Sequence, residues 1–390
     1  MSASAADPRI LVPTAEQVDE RLAAILARGN RKLGEPTGSE RLLLMITRSC
    51  ELRCTYCFVD KTETGQEMSP EVAERGVDLL MASRRPKLEI QFFGGEPSRR
   101  WDMVTRTIRY AVDHPQRAGR PLDLILTTNG TGLDEDRVAF LEAHGATLLF
   151  SLDGNEQVHA RFRPAVLTTD EEAFRRIRRT FGLLMASRIH WFMNVTVPPN
   201  GADDVGERYA WARRHGVPRF QMNYSVGHYW NPQQEQRYLS ALQAMLLHHA
   251  ANPEGMLLYN WLSECEPVML SDELIVDVDG TVMHDGAIFL ERSLPQLKDT
   301  YDRGSVFDLD DFDVLRWDLA RLDRVMRATY AEGTREHRAI AQNIRMGAAV
   351  DLVIDHVRQL VGWERAGLRA DGTFGAVPPA PEGGADASVA

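Results

Sequence analysis

From Arg41 onward the chain alternates short apolar runs with longer stretches whose apolar residues recur at helical spacing. That alternation is the sequence sign of a parallel sheet wrapped by helices. Leu42 to Ile46 reads as the first strand, and Pro70 to Ser83 as the first covering helix with Ser69 as its cap. Further strands are predicted at Leu88 to Phe93, Leu122 to Thr127, Thr147 to Leu152, Trp191 to Val197 and Phe220 to Ser225. Between and after them the helical periodicity falls on Trp101 to Val112, Glu135 to Ala143, Glu171 to Met185, Asp204 to His215 and Glu235 to His249. Six strand-helix units predict an α/β fold, a partial (β/α)6 TIM-like barrel followed by a small C-terminal α+β extension. In such an architecture the site lies at the carboxyl ends of the strands.

The flanks divide the rest. Residues 1–40 read as a leader: Val18, Leu22, Ile25 and Leu26 mark a helix over Ala15 to Ala27, and the breaker-rich Gly29 to Gly38 follows. The barrel takes 41–228 and the extension 229–308, in which Leu274 to Val278 and Thr281 to His284 form a hairpin turning at Asp279-Gly280. The run Asp277-Val278-Asp279-Gly280 lacks the ligand ladder and closing glutamate of a calcium loop. Helical patterns resume at Leu309 to Tyr330 and Glu336 to Val361, within 309–368. The Gly-, Pro- and Ala-rich stretch 369–390 predicts a disordered tail.

Composition narrows the class. With 390 residues, 44% hydrophobic and 26% charged, the chain is of ordinary globular make-up. A net charge of −11 offers no basic field for a phosphate backbone, which disfavours nucleic acid as a partner. The start, Met1 to Asp7, lacks the features of a signal peptide, and no apolar run approaches membrane-spanning length. These features, with only four cysteines, point to a cytoplasmic protein with no membrane partner.

Candidate chemistry concentrates just after the first strand. Thr47 to Phe58 holds three of the four cysteines, Cys50, Cys54 and Cys57, among the charged residues Arg48, Glu51 and Arg53. Thiolates separated by three and then two residues converge from one loop on a soft metal centre, an iron-sulfur cluster or zinc. Structural zinc wants four ligands, and the remaining Cys265 lies far downstream in no pair, so zinc is the weaker reading. A cubane held by three cysteines leaves one iron open to an external ligand.

This spacing, with Tyr56 in the two-residue gap, resembles the signature of the radical S-adenosylmethionine (SAM) superfamily. The resemblance implies that Cys50, Cys54 and Cys57 bind one four-iron four-sulfur (4Fe-4S) cluster, which SAM chelates and which, once reduced, cleaves SAM to a 5′-deoxyadenosyl radical. Gly94-Gly95-Glu96-Pro97, directly after the second predicted strand, resembles the family's GGEP motif, which assigns Glu96 and the nearby backbone to the SAM amino group. Asn129, Ser151 and Asp153 stand at the ends of the third and fourth strands, where relatives place groups near the SAM ribose. Asn-Gly and Asp-Gly are equally common as plain turns. His159 to Arg163 resembles a pattern of a peptide-modifying branch whose arginine faces the SAM carboxylate, with Ala160 departing from it. Asn194 is a further SAM-contact candidate.

The same branch ends in a cysteine-rich extension called SPASM. Cys265, Gly280 and Thr281 to His284 resemble its opening, but Asp285 stands where a cysteine is expected and none follows. One thiolate cannot hold a second cubane, so the extension is expected to be a SPASM-like remnant without auxiliary clusters. Tyr301 to Asp308 resembles the segment that follows such extensions. Cys265 is either inert packing or a catalytic hydrogen-atom donor, as in radical peptide epimerases. Histidines 215, 228, 248 and 249 show no metal spacing. The resemblance implies an oxidoreductase or maturase acting on a ribosomally made precursor peptide (RiPP maturation), by crosslinking, epimerisation or a related change. The leader is too short for a peptide-binding front domain, so a separate recognition protein is a candidate partner, beside an electron donor such as flavodoxin or ferredoxin. The alternatives are a radical SAM enzyme acting on a small molecule and a non-catalytic iron-sulfur scaffold or sensor.

Overall fold

The computed structural model describes residues 7–28, 39–61, 66–261 and 268–362. The tail from 369, the whole Gly29 to Gly38 linker and Cys265 lie outside the described residues. In chain order the elements begin with α1 (Ala15–Arg28), β1 (Ser39–Thr47), α2 (Pro70–Met81), β2 (Lys87–Gly94), α3 (Trp101–Val112), β3 (Leu122–Thr128) and α4 (Glu135–Ala143). There follow β4 (Thr147–Ser151), α5 (Glu156–Phe162), α6 (Asp170–Ala186), β5 (His190–Val197), α7 (Val205–Arg214), β6 (Arg219–Tyr224), α8 (Pro232–Ala251) and β7 (Leu257–Leu258). The chain then forms β8 (Leu274–Val276), β9 (Thr281–His284), two short helical turns α9 (Gly286–Phe289) and α10 (Leu297–Tyr301), β10 (Asp302–Ser305), α11 (Leu319–Thr329) and α12 (Arg335–Val361).

The strands make one ten-stranded sheet in the order β10-β9-β8-β1-β2-β3-β4-β5-β6-β7. Strands β1 to β7 are parallel and adjacent in sequence order, and β8 pairs parallel with β1 on the other side. With β7 and β10 left as edges the barrel is open, a mixed α/β partial barrel. The hairpin β8-β9 is antiparallel, as expected, and turns through Gly280 at φ 89°.

The helices cover one face of this sheet. Leu42, Leu44, Ile90, Phe92, Leu124, Leu126, Leu148 and Phe150 point that way and are buried. Helix α2 comes so close that a Cβ on Gly76 would stand 2.9 Å from the Leu44 side chain, which is why a glycine interrupts this helix. The opposite face is concave. In β3 to β6 the residues of that face, among them Ile125, Thr127, Leu149, Phe192, Asn194, Gln221 and Asn223, stay half-buried where their neighbours are buried. Towards the amino ends of β1 and β2 the same face is closed by ions: Arg41 Nη2 lies 2.6 Å from Glu89, and Arg41 Nη1 lies 3.2 Å from Glu273.

Two elements differ from the sequence reading. The helix expected from Leu309 begins only at Leu319, capped by Asp318, whose side chain accepts from the Arg321 amide. The preceding residues are held as turns because Asp313 accepts from Ser83 Oγ at 3.0 Å, pinning them to the end of α2. Helix α5, which carries His159 to Phe162, follows an Asn155 cap and is too short to show a period. The leader helix α1 is a core element: Val18, Leu22 and Ile25 are buried, and Arg21 pairs with Asp351 of α12 at 2.5 Å.

Candidate functional site

The cysteine loop leaves the carboxyl end of β1 and is gripped on three sides. The first grip is the Gly94-Gly95 turn after β2: Gly95 N donates to Thr47 O at 2.7 Å and Glu96 N to Ser49 O at 2.9 Å. A Cβ at Gly94 would lie 2.4 Å from Thr47 O, and one at Gly95 2.4 Å from Ser49 O, so both glycines are sterically required. Pro97 opens the 3-10 turn Pro97–Arg100 that follows, and Pro97 and Ser98 are buried. The second grip is the segment after α5, where Thr55 N donates to Phe162 O at 2.8 Å, Arg53 N to Pro164 O at 2.8 Å and Val166 N to Glu51 O at 2.9 Å. The third is Arg48, buried, with Nη2 2.6 Å from Asp277 beyond β8 and Nη1 2.7 Å from Glu291.

The loop brings its thiols to one place, with Cys50 and Cys54 buried and Cys57 half-buried. Donors point at the sulfurs: Leu52 N to Cys50 Sγ at 3.4 Å, Asn129 Nδ2 to Cys50 Sγ at 3.8 Å and Arg163 Nη1 to Cys54 Sγ at 3.9 Å. Burial pushes the Cys50 thiol up to about 12, against the opposing pull of the Lys61 ammonium. Cys54 is raised by burial too, and Lys61 again opposes it. Lys61 Nζ donates to Leu52 O at 3.1 Å. Three soft sulfurs on one loop, two of them buried with N–H donors aimed at them, fit an iron-sulfur cluster. No three His, Cys, Asp or Glu side chains among the described residues are placed to hold a single metal ion. A cubane, in contrast, carries each thiolate on a separate iron.

Beside the thiols lies a second polar group. The Glu96 carboxylate accepts from Ser98 N at 3.0 Å, Thr128 Oγ1 at 2.8 Å and Asn129 N at 2.7 Å. Burial and then the neighbouring Glu51 raise its pKa to about 7. Asn129 Nδ2 also donates to Glu51 Oε1 at 3.0 Å, and Glu51 takes the Thr131 hydroxyl as well. On the other flank the Tyr56 hydroxyl donates to Asp153 Oδ2 at 2.6 Å, Arg163 Nε lies 3.2 Å from the same oxygen and Arg208 Nη1 3.6 Å from it. Burial works to raise the Asp153 carboxyl, but Arg163 and Arg208 outweigh it and hold it low. The Arg163 guanidinium sits 5.2 Å from the Tyr56 ring centre. Thus Tyr56, Asp153 and Arg163 form one unit against Cys54. Ser151 and Asn194 face one another across β4 and β5, and Asn194 Oδ1 accepts from Asn223 Nδ2 at 2.9 Å.

Glu51, Lys61, Thr128 and Arg208 escaped the sequence reading. Arg208 is 1% exposed within α7, yet nothing local separates it from Arg213 and Arg214 on the same helix. Glu51 carried a signal, a carboxylate inside the cysteine triplet. Asp285, at the position where a cysteine was expected, is buried, and burial together with Glu273 raises its carboxyl. No helix among the described residues is long and apolar enough to cross a membrane.

A family model described as the radical SAM superfamily matches residues 44–238. The chain is 26% identical over 133 residues to the radical SAM cyclopropyl synthase TigE of Paramaledivibacter caminithermalis, covering 30% of this chain and 27% of that protein. It is 22% identical over 180 residues to a cysteine-type anaerobic sulfatase-maturating enzyme of Clostridium novyi, covering 44% of this chain and 47% of that protein. The matches therefore span about a quarter and about half of these relatives. Among solved structures, native anSMEcpe with bound AdoMet has a TM-score of 0.65 at 17% identity, covering 82% of this chain and 99% of that one. The same protein with AdoMet and the Cp18Cys peptide gives 0.62 at 18% identity, covering 76% of this chain and 84% of that one.

Proposed function

The chain belongs to the radical SAM superfamily and is a radical SAM enzyme, and from that premise we propose that it holds one 4Fe-4S cluster on Cys50, Cys54 and Cys57, binds SAM beside it and modifies a peptide. The observation that carries this reading is the closure of the cysteine loop onto Gly94-Gly95-Glu96, which leaves three thiols and one fixed carboxylate at the same strand ends. Cluster and SAM, when bound and reduced, supply a 5′-deoxyadenosyl radical that takes a hydrogen atom from the substrate. Everything else falls to the chain's own residues. Glu96, oriented by three donors, is set to accept from the SAM ammonium. Asn129 links that carboxylate to Cys50 and Glu51. Arg163, held by Asp153 and Tyr56, presents a guanidinium at Cys54 where a carboxylate of SAM would be gripped.

The peptide reading rests on the concave face. Above the apolar Ile125, Leu149 and Phe192, the half-buried Thr127, Ser151, Asn194, Gln221 and Asn223 offer hydroxyls and carboxamides at the carboxyl half of the strands. Such groups pair with backbone amides of an extended peptide. The likeness to anSMEcpe, solved with a peptide, points the same way. An electron donor such as flavodoxin or ferredoxin completes the system.

The test is anaerobic reconstitution with iron and sulfide, reduction with dithionite, and measurement of 5′-deoxyadenosine. The native chain is expected to produce it and Cys50→Ala to produce none; equal yields from both would refute the assignment. Candidate peptides then identify the substrate through a mass change that appears only with SAM.

A further inference from the structure

Glu51 follows Cys50 directly in the chain, yet its side chain leaves the thiols and enters the turn after β3. It is 7% exposed. Oε1 accepts from Asn129 Nδ2 at 3.0 Å and from the Thr131 hydroxyl. The same Asn129 Nδ2 lies 3.8 Å from Cys50 Sγ, so thiol and carboxylate compete for one amide nitrogen. That carboxamide is oriented from its other end, because Asn129 Oδ1 accepts from Thr131 N at 2.9 Å. With the oxygen committed there, the nitrogen is the end that faces Glu51 and Cys50.

The second oxygen of Glu51 is less well served. Oε2 has no hydrogen bond among the described residues, and Glu51 lines a cavity of about 340 Å³ together with Ser98, Arg99, Thr131, Arg137 and Arg176. Its ion-pair partner is Arg99, whose Nη1 stands 3.6 Å away on a side chain 38% exposed. The other two guanidiniums are engaged elsewhere: Arg137 Nη1 donates to the carbonyls of Ser98 and Gly132, and Arg176 pairs with Glu172. A buried carboxylate with one loose, solvent-facing cation keeps much of its field. That field reaches Glu96, whose carboxyl is raised by burial first and by Glu51 second.

We propose that Glu51 is a positioning residue for cluster reduction: it holds the Asn129 amide off Cys50 and sets a fixed negative charge beside that thiolate, and both lower the reduction potential. The inference rests on the cluster assigned above. An N–H donor to a cysteine sulfur favours the added electron, and a neighbouring carboxylate opposes it. Reduction takes one electron from a low-potential donor, and no bond is made or broken. Glu51 makes that electron harder to deliver and more strongly reducing once delivered, which suits the reductive cleavage proposed above.

The test is a mediated redox titration of the reconstituted full chain, with the reduced cluster followed by electron paramagnetic resonance, in the native protein, Glu51→Gln, Glu51→Ala and Arg99→Met. Iron and sulfide are measured on each sample. Glu51→Gln keeps an acceptor for Asn129 and loses the charge. It is expected to raise the reduced-to-oxidised ratio at a fixed potential about tenfold, a midpoint shift of about 59 mV. Glu51→Ala also frees Asn129 Nδ2 for Cys50 and should rise further. Arg99→Met removes the screening cation and should move the ratio the other way, about threefold. A role confined to holding the loop would lower iron content without this pattern of signs. Equal potentials in the native chain and Glu51→Gln at full iron content would overturn the proposal, as would an upward shift in Arg99→Met. Should Glu51→Gln fail to hold its cluster, the sign of the Arg99→Met shift decides. A native chain that takes up no iron would sink the cluster assignment and this inference together, whereas unchanged potentials across a fully loaded series would sink the inference alone.

Discussion

Replacing Arg48 by Met should destabilise the protein strongly. Arg48 is 4% exposed and makes four contacts: Nη2 to Asp277 Oδ2 at 2.6 Å, Nε to Asp277 Oδ1 at 3.2 Å, Nη1 to Glu291 Oε1 at 2.7 Å and Nη1 to Asp60 O at 3.2 Å. Without it, two carboxylates of 2% and 4% side-chain exposure keep Lys298 as a cation, at 3.1 and 3.6 Å. Breaking a buried ion pair from one side costs about 3–5 kcal/mol. Because Lys298 offsets part of that, the expected loss is about 3 kcal/mol, read as a shift in the urea midpoint of the cluster-free chain. A second, apolar replacement at Asp277 should recover much of it, since a packed apolar pair is often no worse than a buried ionic one. The pH dependence has a definite sign. Burial raises the Asp277 carboxyl, but the bonds and charge of Arg48 lower it further, so the folded-state pKa is depressed. The stability this contributes is fully present above the ordinary carboxylate value of about 4 and disappears as the pH falls through the folded value. The gap between native and Arg48→Met should therefore narrow in acid. A loss below about 1 kcal/mol, or a gap that does not change with pH, would refute the brace.

Other perturbations separate the parts of the site. Gly95→Ala places a Cβ against the Ser49 carbonyl and should cost about 1–3 kcal/mol, with reduced iron uptake measured after reconstitution. Tyr56→Phe removes one donor from the buried Asp153 carboxylate; with Arg163 and Arg208 still in place, the loss should be about 1.5 kcal/mol by urea titration. SAM affinity of the native protein should rise as the pH passes upward through about 7 and Glu96 gives up its proton, and Glu96→Gln should bind weakly with a flat profile in equilibrium titration. A Glu96→Gln profile that keeps the native slope would assign the titration to another group.

The front of the molecule was legible because local and tertiary demands coincide there. Helices α3 and α4 match the expected limits to the residue: both have an acidic first turn, α3 adds an apolar stripe against an exposed reverse face, and α4 starts at an Asp134 cap. The strands were legible as short apolar runs, and with one face packed by helices and the other half-open it is their burial that alternates in β3 and β5. Cys50, Cys54, Cys57 and Glu96 were readable from spacing, and the structure brings their loops together through Gly95 and Glu96. Partnership was not readable. Asp153 and Arg163 drew separate expectations as ribose and carboxylate contacts, yet they bind one another, ten residues apart across a loop and α5. Nothing in the sequence marks that geometry. Arg208 joins them from a different helix, and such a contact is a product of tertiary packing alone.

The extension is the clearest case of a function hidden from spacing. Its hairpin continues the barrel sheet, with Leu42, Leu43 and Leu44 of β1 facing Leu274, Ile275 and Val276 of β8 in parallel register. That pairing places Asp277 one residue beyond β8, where Arg48 at the start of the cysteine loop reaches it. Glu291 and Lys298 come from the turns after β9 and close the same ion network, and Glu291 also accepts from the Asp60 amide at the loop's far end. The loop is thus tied at both ends, before Cys50 and after Cys57, by carboxylates of the extension. Where a cysteine-rich extension would bind iron, this one supplies Asp285, which stays buried among Glu273 and Arg41. The carboxylates of this segment act on the cysteine loop instead. A chain cut before β8 would strip Arg48 of both its acids and of the residues that cover it, and is expected to take up less iron on reconstitution than the full chain; equal uptake would refute the role of the extension in holding the loop.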